Sequence, residues 1–314
     1  MGIALGAPRL AVAQGQRARI AWLCPITKAA GTAFLVPLLE GLAALGYAPG
    51  KNIELDERWG DNSLELMEHL ALEALALKPS LCVTQGPALH IMRKLSATIP
   101  VVFGNSSDPI EAGVAKTLAR PGGRFTGITF MAYALVGKRV ELLHEVVPKA
   151  KRVAILSNPE HPGDLKELAA TQEAALGLGL SVAHYPATNP AELDRALSAI
   201  AAAGTEAVVV HPDALMVQRR SVIGQFTLEQ GIPTISGWAT IAEGGSLLTY
   251  GPNLRESYRR LAYFVDRILR GARPEDTPIE LPSTVEFVVN LKTAKAIGLT
   301  VPPALLLRAD RVIV

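Results

Sequence analysis

Apolar positions along the chain switch between two periods. Residues 18–23 form a short apolar run ending at Cys24-Pro25. Phe34, Leu35, Leu38, Leu39, Leu42 and Leu45 then recur at helical spacing, and Gly46 closes that helix. Residues 52–58 alternate as a strand, and 64–77 read as an amphipathic helix stopped before Pro79. A buried strand at 81–84 breaks at Gln85-Gly86-Pro87, a helix covers 88–96, and a strand at 100–103 breaks at 104–109. Asp108 followed by Pro109 has the form of a helix start, so a further helix is expected up to Pro121-Gly122-Gly123.

The pattern restarts after Gly127-Ile128-Thr129. Helices are expected at 134–147, 164–176, 190–203 and 214–230, with strands at 153–156, 180–185, 207–210, 233–236 and 246–249. A long helix at 254–269 follows, then a Pro- and charge-rich loop at 271–282, a strand at 285–289 and a helix at 291–297. Strand, polar loop and helix in alternation mean parallel sheets covered by helices. The fold class is therefore α/β, with two doubly wound parallel-sheet lobes joined by a multi-strand hinge. The expected lobes are 17–125 plus 250–280, and 126–249 plus 281–314. Candidate crossings lie near 125–129, 249–251 and 281–285. Several crossings make a hinge, and two lobes on a hinge make a cleft that closes.

Composition narrows the class. The 314 residues suit two domains of roughly 150. With 49% hydrophobic and 19% charged residues the chain can fill real cores. A net charge of +2, with no block of like charges, gives no nucleic-acid partner. Residues 1–16 differ from the rest: small and apolar, with Ala11-Val12-Ala13 before Gln14 in the form of a signal-peptidase site. They read as the end of a secretory signal whose basic start lies upstream; a frayed terminus is the plain alternative. No apolar run approaches the roughly 20 residues of a membrane helix. Cys24 and Cys82 are too few for a disulfide framework and read as two buried thiols, a strained disulfide being the other possibility. No metal or cofactor is expected, since no His pair has ligand spacing and no phosphate-binding or dinucleotide glycine motif opens a helix.

Ligands of open parallel sheets bind at the carboxyl edge of the strands, where the strand-to-helix loops gather. The loops here are small and polar. Gln85, Asn105, Ser106, Ser107, Thr129, Asn158 and Asp213 can hydrogen-bond a small solute, and Trp22 and Trp238 can supply an aromatic wall. Loop amides with Ser106 and Thr129 suit a carboxylate, and Asp108 or Asp213 an amine. Each has a plain structural reading beside the functional one. Asp108 caps a helix, Ser157-Asn158-Pro159 is ordinary turn chemistry, His211 before Pro212 is a loop residue, and Tyr250 packs a hinge.

Arg120-Pro121-Gly122-Gly123, Arg139-Val140-Glu141-Leu142-Leu143, Glu243-Gly244-Gly245, Tyr250-Gly251-Pro252 and the tail 290–303 carry a resemblance over nearly the whole chain. In order and spacing they resemble the ABC-transporter substrate-binding family that includes tryptophan- and tyrosine-binding members. The resemblance implies a type I periplasmic-binding-protein-like fold. It implies a monomer in the periplasm that captures an amino acid or related carboxylate and hands it to an ABC permease in the inner membrane. By position, the family's binding loops fall on Cys24, Pro25 and Thr27; Thr84, Gln85 and Gly86; Asn105, Ser106 and Asp108; Thr129; Asn158; His211 and Asp213; Trp238; and Tyr250. Cys24-Pro25-Ile26, Asn105-Ser106-Ser107 and His211-Pro212-Asp213 depart from the usual pattern where specificity is set. Two other classes remain open: an α/β enzyme, with His211 and Asp108 as its acid–base candidates, and the effector domain of a transcription regulator, which needs a DNA-binding helix-turn-helix.

Overall fold

A computed structural model describes residues 17–130, 132–161 and 163–314; the expected signal segment 1–16 lies outside the described residues. The first half runs β1 (Ala18–Cys24), α1 (Lys28–Ala44), β2 (Ile53–Trp59), α2 (Leu64–Ala76), β3 (Leu81–Gln85), α3 (Ala88–Leu95), β4 (Val101–Asn105) and β5 (Phe125–Thr129). These strands make one parallel sheet in the order β2-β1-β3-β4-β5. Its two faces bury separate cores. Trp22, Phe34, Leu38 and Leu42 lie on one side, and Leu23, Met67, Met92 and Phe103 on the other.

The second half runs α4 (Val136–Val146), β6 (Arg152–Ser157), α5 (Asp164–Gly177), β7 (Ser181–Pro186), α6 (Pro190–Ala202), β8 (Ala207–Val210), α7 (Ala214–Gln218), α8 (Arg220–Gln230), β9 (Thr234–Ser236), α9 (Ala239–Glu243) and β10 (Leu248–Pro252). Then come α10 (Leu254–Leu269), β11 (Val285–Asn290), α11 (Leu291–Ala296), α12 (Pro303–Arg308) and β12 (Arg311–Ile313). The second sheet has the order β12-β11-β10-β9-β8-β6-β7, parallel except where β10 meets β11. The architecture is the two-lobed α/β one expected.

Helix α10 belongs to neither neighbour in sequence. Its apolar stripe, Tyr258, Leu261, Phe264, Val265 and Ile268, is buried in the first lobe's core, against α1. Gly41 permits the close approach: a Cβ there would collide with the Arg259 carbonyl and the Ala262 side chain. Residues 277–280 return to β5, where the Glu280 amide donates to the Gly127 carbonyl (2.9 Å) and the Thr129 amide to the Glu280 carbonyl (3.0 Å). The chain therefore passes between lobes three times: after β5, between β10 and α10, and between Glu280 and β11.

The expected lobe limits at 125/126 and 249/250 cut through strands. Phe125–Thr129 pairs in register with β4, burying Phe125 and Ile128 in the first lobe, so all of it belongs there. Tyr250–Pro252 pairs with β11 in the second. The helix expected after Asp108 does not form among these residues. Gly113 adopts a left-handed conformation (φ +66°) and the Lys116 amide turns back to the Pro121 carbonyl, giving consecutive turns instead. The helix expected at 214–230 is two, broken at Arg219. Helices α9 and α12 and strand β12 carry no strong period, and the sequence pattern does not predict them. Cys24 and Cys82 are both free thiols facing opposite sides of the first sheet, which excludes the disulfide.

Candidate functional site

Parallel strands of both sheets end at one cleft between the lobes, and loops from nearly every one of them contribute to it. From the first lobe Pro25 follows β1, Gln85 and Gly86 sit at the end of β3, and Asn105 and Ser106 at the end of β4. From the second, Asn158 follows β6, Asp213 follows β8, and Trp238 follows β9. The enclosed space is about 190 Å³, against roughly 10–15 Å³ for a single water measured the same way. A small organic solute fits.

The polar loops hold one another in place. Asn105 Nδ2 donates to the Gly86 carbonyl (2.7 Å), and its Oδ1 accepts from the Ser107 amide (2.6 Å), tying the ends of β3 and β4 together. Across the cleft, Asn158 Nδ2 donates to Asp213 Oδ2 (2.6 Å), while Asp213 Oδ1 caps α7 by accepting from the Met216 amide (2.8 Å). Asp213 is 3% exposed. Burial, opposed by His161 and these two donors, lifts its carboxyl above the ordinary aspartate range.

Much of the apolar lining is aromatic: Trp238 is among the expected site residues, whereas Phe34 and Tyr258 fall on helical stripes that periodicity assigns to core. Phe34 on α1, Tyr258 on α10 and Phe130 just past β5 meet on the first-lobe side. Their ring centroids stand 4.9 Å (Phe34 to Tyr258) and 6.1 Å (Phe130 to Tyr258) apart. Trp238 faces them from the second lobe, buried, its indole N–H without a partner. His161 in the Asn158 loop and Gln218 at the end of α7 also line the space. Only His161 had a local signal, as part of a loop already singled out. Trp22 is core, edge-on to Trp59 and Tyr258.

Other expected residues stand away from the cavity. Cys24 is buried beneath it, its thiol 3.9 Å from Gln85 Oε1 and pushed by burial up to about 12. Thr27 caps α1 by accepting from the Ala30 amide (3.3 Å). Thr84 is buried in β3, and Thr129 donates to the Ser107 carbonyl (2.7 Å). His211 lies inside the second lobe, between Asp164 Oδ1 (3.1 Å) and Thr171 Oγ1 (2.9 Å). Tyr250 packs its ring on Phe287, and its carbonyl accepts from Arg139 Nε (2.8 Å). Asp108 accepts from the Ile110 amide (2.9 Å) and lies 3.6 Å from Lys166 of the second lobe, whose Nζ also meets Glu111. That contact bridges the lobes beside the cleft. Neither His211 nor Asp108 lines the cavity, so the acid–base pair considered above is not assembled there.

Two α/β lobes, three crossings and one cleft at the carboxyl edges of both sheets define a type I periplasmic-binding-protein fold. Residues 19–313 match the family model described as ABC transporter substrate binding protein, and the chain belongs to that family. A tyrosine-binding protein of Clostridioides difficile (strain R20291) is 22% identical over 262 residues, 83% of this chain and 75% of that one. Among solved structures, an ABC domain in complex with L-Trp from Streptococcus pneumonia has TM-score 0.87 at 22% identity, covering 95% of this chain and all of that one. A conserved domain protein of Vibrio cholerae has TM-score 0.88 at 24% identity, again over 95% of this chain and 100% of its own. At these identities the structural likeness establishes the fold. Among the described residues no helix is long and apolar enough to cross a membrane.

Proposed function

We propose that the protein is the extracytoplasmic receptor of an ABC importer. It captures a small solute with an apolar or aromatic body and a polar head, of the amino acid or related carboxylate class, and presents it to a permease. The observation that carries this reading is the cleft itself, lined from both lobes by polar loops and by Phe34, Phe130, Tyr258 and Trp238. In relatives, a tyrosine-binding protein and a structure holding L-Trp point to the same solute class. The protein acts as a monomer without chemistry of its own. Residues 17–130 with 254–280 move as one body and the remainder of the second half as the other, about the three crossings. A solute touching both lobes stabilises the closed arrangement, and only that difference in affinity drives closure. The test is a thermal-shift screen against amino acids and aromatic carboxylates. A ligand at about 100 times Kd adds roughly 2.7 kcal/mol, a shift of degrees. Mass spectrometry of the denatured protein identifies any solute carried through purification. No shift with any compound and no released solute contradicts the reading.

A further inference from the structure

We propose that the cleft selects its solute by a cationic amine seated against Asp213, and that a carboxylate on the solute is dispensable. This rests on the solute-binding reading above and narrows its ligand to primary amines on an apolar or aromatic body.

Charge sets the preference. The chain has 31 lysines and arginines, yet among the described residues lining the cavity there is none, while Asp213, Glu160 and His161 are present. Three cations on helices of the two lobes are engaged elsewhere. Lys166 pairs with Glu111 and Asp108, Lys28 with Glu57 (2.7 Å), and Arg139 is buried behind Tyr250 with Glu167. An anion without a side-chain cation relies on helix N-termini. Here these are largely occupied: Thr27 caps α1, Asn189 caps α6, and α7 is capped by a carboxylate, Asp213 itself. At α3 and at the five-residue α9 no side chain caps the helix, but the Leu89 and His90 amides already donate to the Gly86 and Pro87 carbonyls, and the Ile241 amide to the Trp238 carbonyl. A solute carboxylate thus leaves water for a cavity with two carboxylates and no lysine or arginine, where neutral side-chain and loop donors alone would receive it.

An amine meets the opposite situation. Asp213 is buried with only the Met216 amide and the Asn158 amide group as donors, and each of its oxygens has acceptor capacity left. His161 is the one side chain of the described lining that can oppose this charge; a buried charge so sparsely paired is expensive, and an amine seated on it recovers that loss. The unpartnered Trp238 indole N–H and His161 Nε2 add a demand for polar groups on the solute, which a neutral hydroxyl or carbonyl meets.

The experiment is calorimetric titration of the full chain with matched triples. Tyrosine, tryptophan, phenylalanine and leucine are each compared with the decarboxylated amine and the deaminated acid. For the parent that binds, the amine is expected within about tenfold of it and the acid at least about 100-fold weaker. Asp213→Asn keeps a capping side chain on α7, so it should fold, which its ligand-free melting curve checks. It is expected to lose amine binding at least about 30-fold while leaving the acid unchanged or tighter. An acid that binds like its parent while the amine does not, or an Asp213→Asn variant with amine affinity intact, overturns the inference alone. Failure of every compound, parent amino acids included, overturns the amino-acid reading and this inference with it.

Discussion

Replacing Arg139 by methionine probes how the second lobe holds the strand that leads into a crossing. Arg139 and Glu167 have side chains 0% and 1% exposed, with Nη1 3.5 Å from the carboxylate. The Arg139 Nε bond to the Tyr250 carbonyl anchors β10 one turn before the chain enters α10. The pairing is incomplete, because Arg139 Nη2 and Glu167 Oε1 have no partner. Burial accordingly outweighs Glu167 and pulls the guanidinium below the ordinary arginine range. Removing one member leaves a buried charge alone, which costs about 3–5 kcal/mol; removing both leaves none, and such replacements are neutral or stabilising by roughly 1–4 kcal/mol. Arg139→Met should therefore be strongly destabilised, and Arg139→Met with Glu167→Met should recover most or all of the loss. The assay is urea unfolding followed by circular dichroism and tryptophan fluorescence, whose coincidence checks a single transition. A single variant within about 1 kcal/mol of the parent, where one-sided removal predicts several, refutes the reasoning. So does a double variant as unstable as the single one.

Further outcomes are expected. Lys166→Glu sets like charges beside Asp108 and Glu111 across the lobes; it should weaken solute binding severalfold and shift small-angle scattering toward the open form, with the melting of each lobe unchanged. Because burial raises the Asp213 carboxyl, its proton returns at a higher pH than for an ordinary aspartate. In the ligand-free protein this group's contribution to stability is greatest when it is protonated and is lost as pH rises through the raised value. Amine binding runs the other way, falling on acidification through that value, and Asp213→Asn should flatten the calorimetric pH profile. Cys24 and Cys82, both raised by burial to about 12, should resist a thiol reagent in the native protein and react fully after denaturation; a native disulfide in the intact mass contradicts the sheet geometry.

The elements that were legible in the sequence are those whose burial follows one period. Helix α10 appears at its expected bounds because Tyr258, Leu261, Val265 and Ile268 trace one stripe, and β8 because Ala207–Val210 is uniformly buried. The stretch after Asp108 misled because a cap followed by proline starts a turn as readily as a helix, and Gly113 then takes a left-handed turn. Arg219 carries no breaker signal, so the α7–α8 joint was invisible. At the site, the polar loop tips Gln85, Asn105, Asn158 and Asp213 were found because loops after parallel strands share an edge. Phe34 and Tyr258 were not, since a helical apolar residue reads as core whether or not a cavity opens beside it. His211 matches a family binding loop by position, yet its side chain turns inward to Asp164 and Thr171, a direction no local pattern encodes.

Whether a solute held between the lobes closes them is read by small-angle X-ray scattering with and without the solute that gives the largest thermal shift. A smaller radius of gyration is expected at saturating solute, titrating with the calorimetric affinity. Stoichiometric binding with an unchanged radius of gyration, starting from an open ligand-free form, would contradict it.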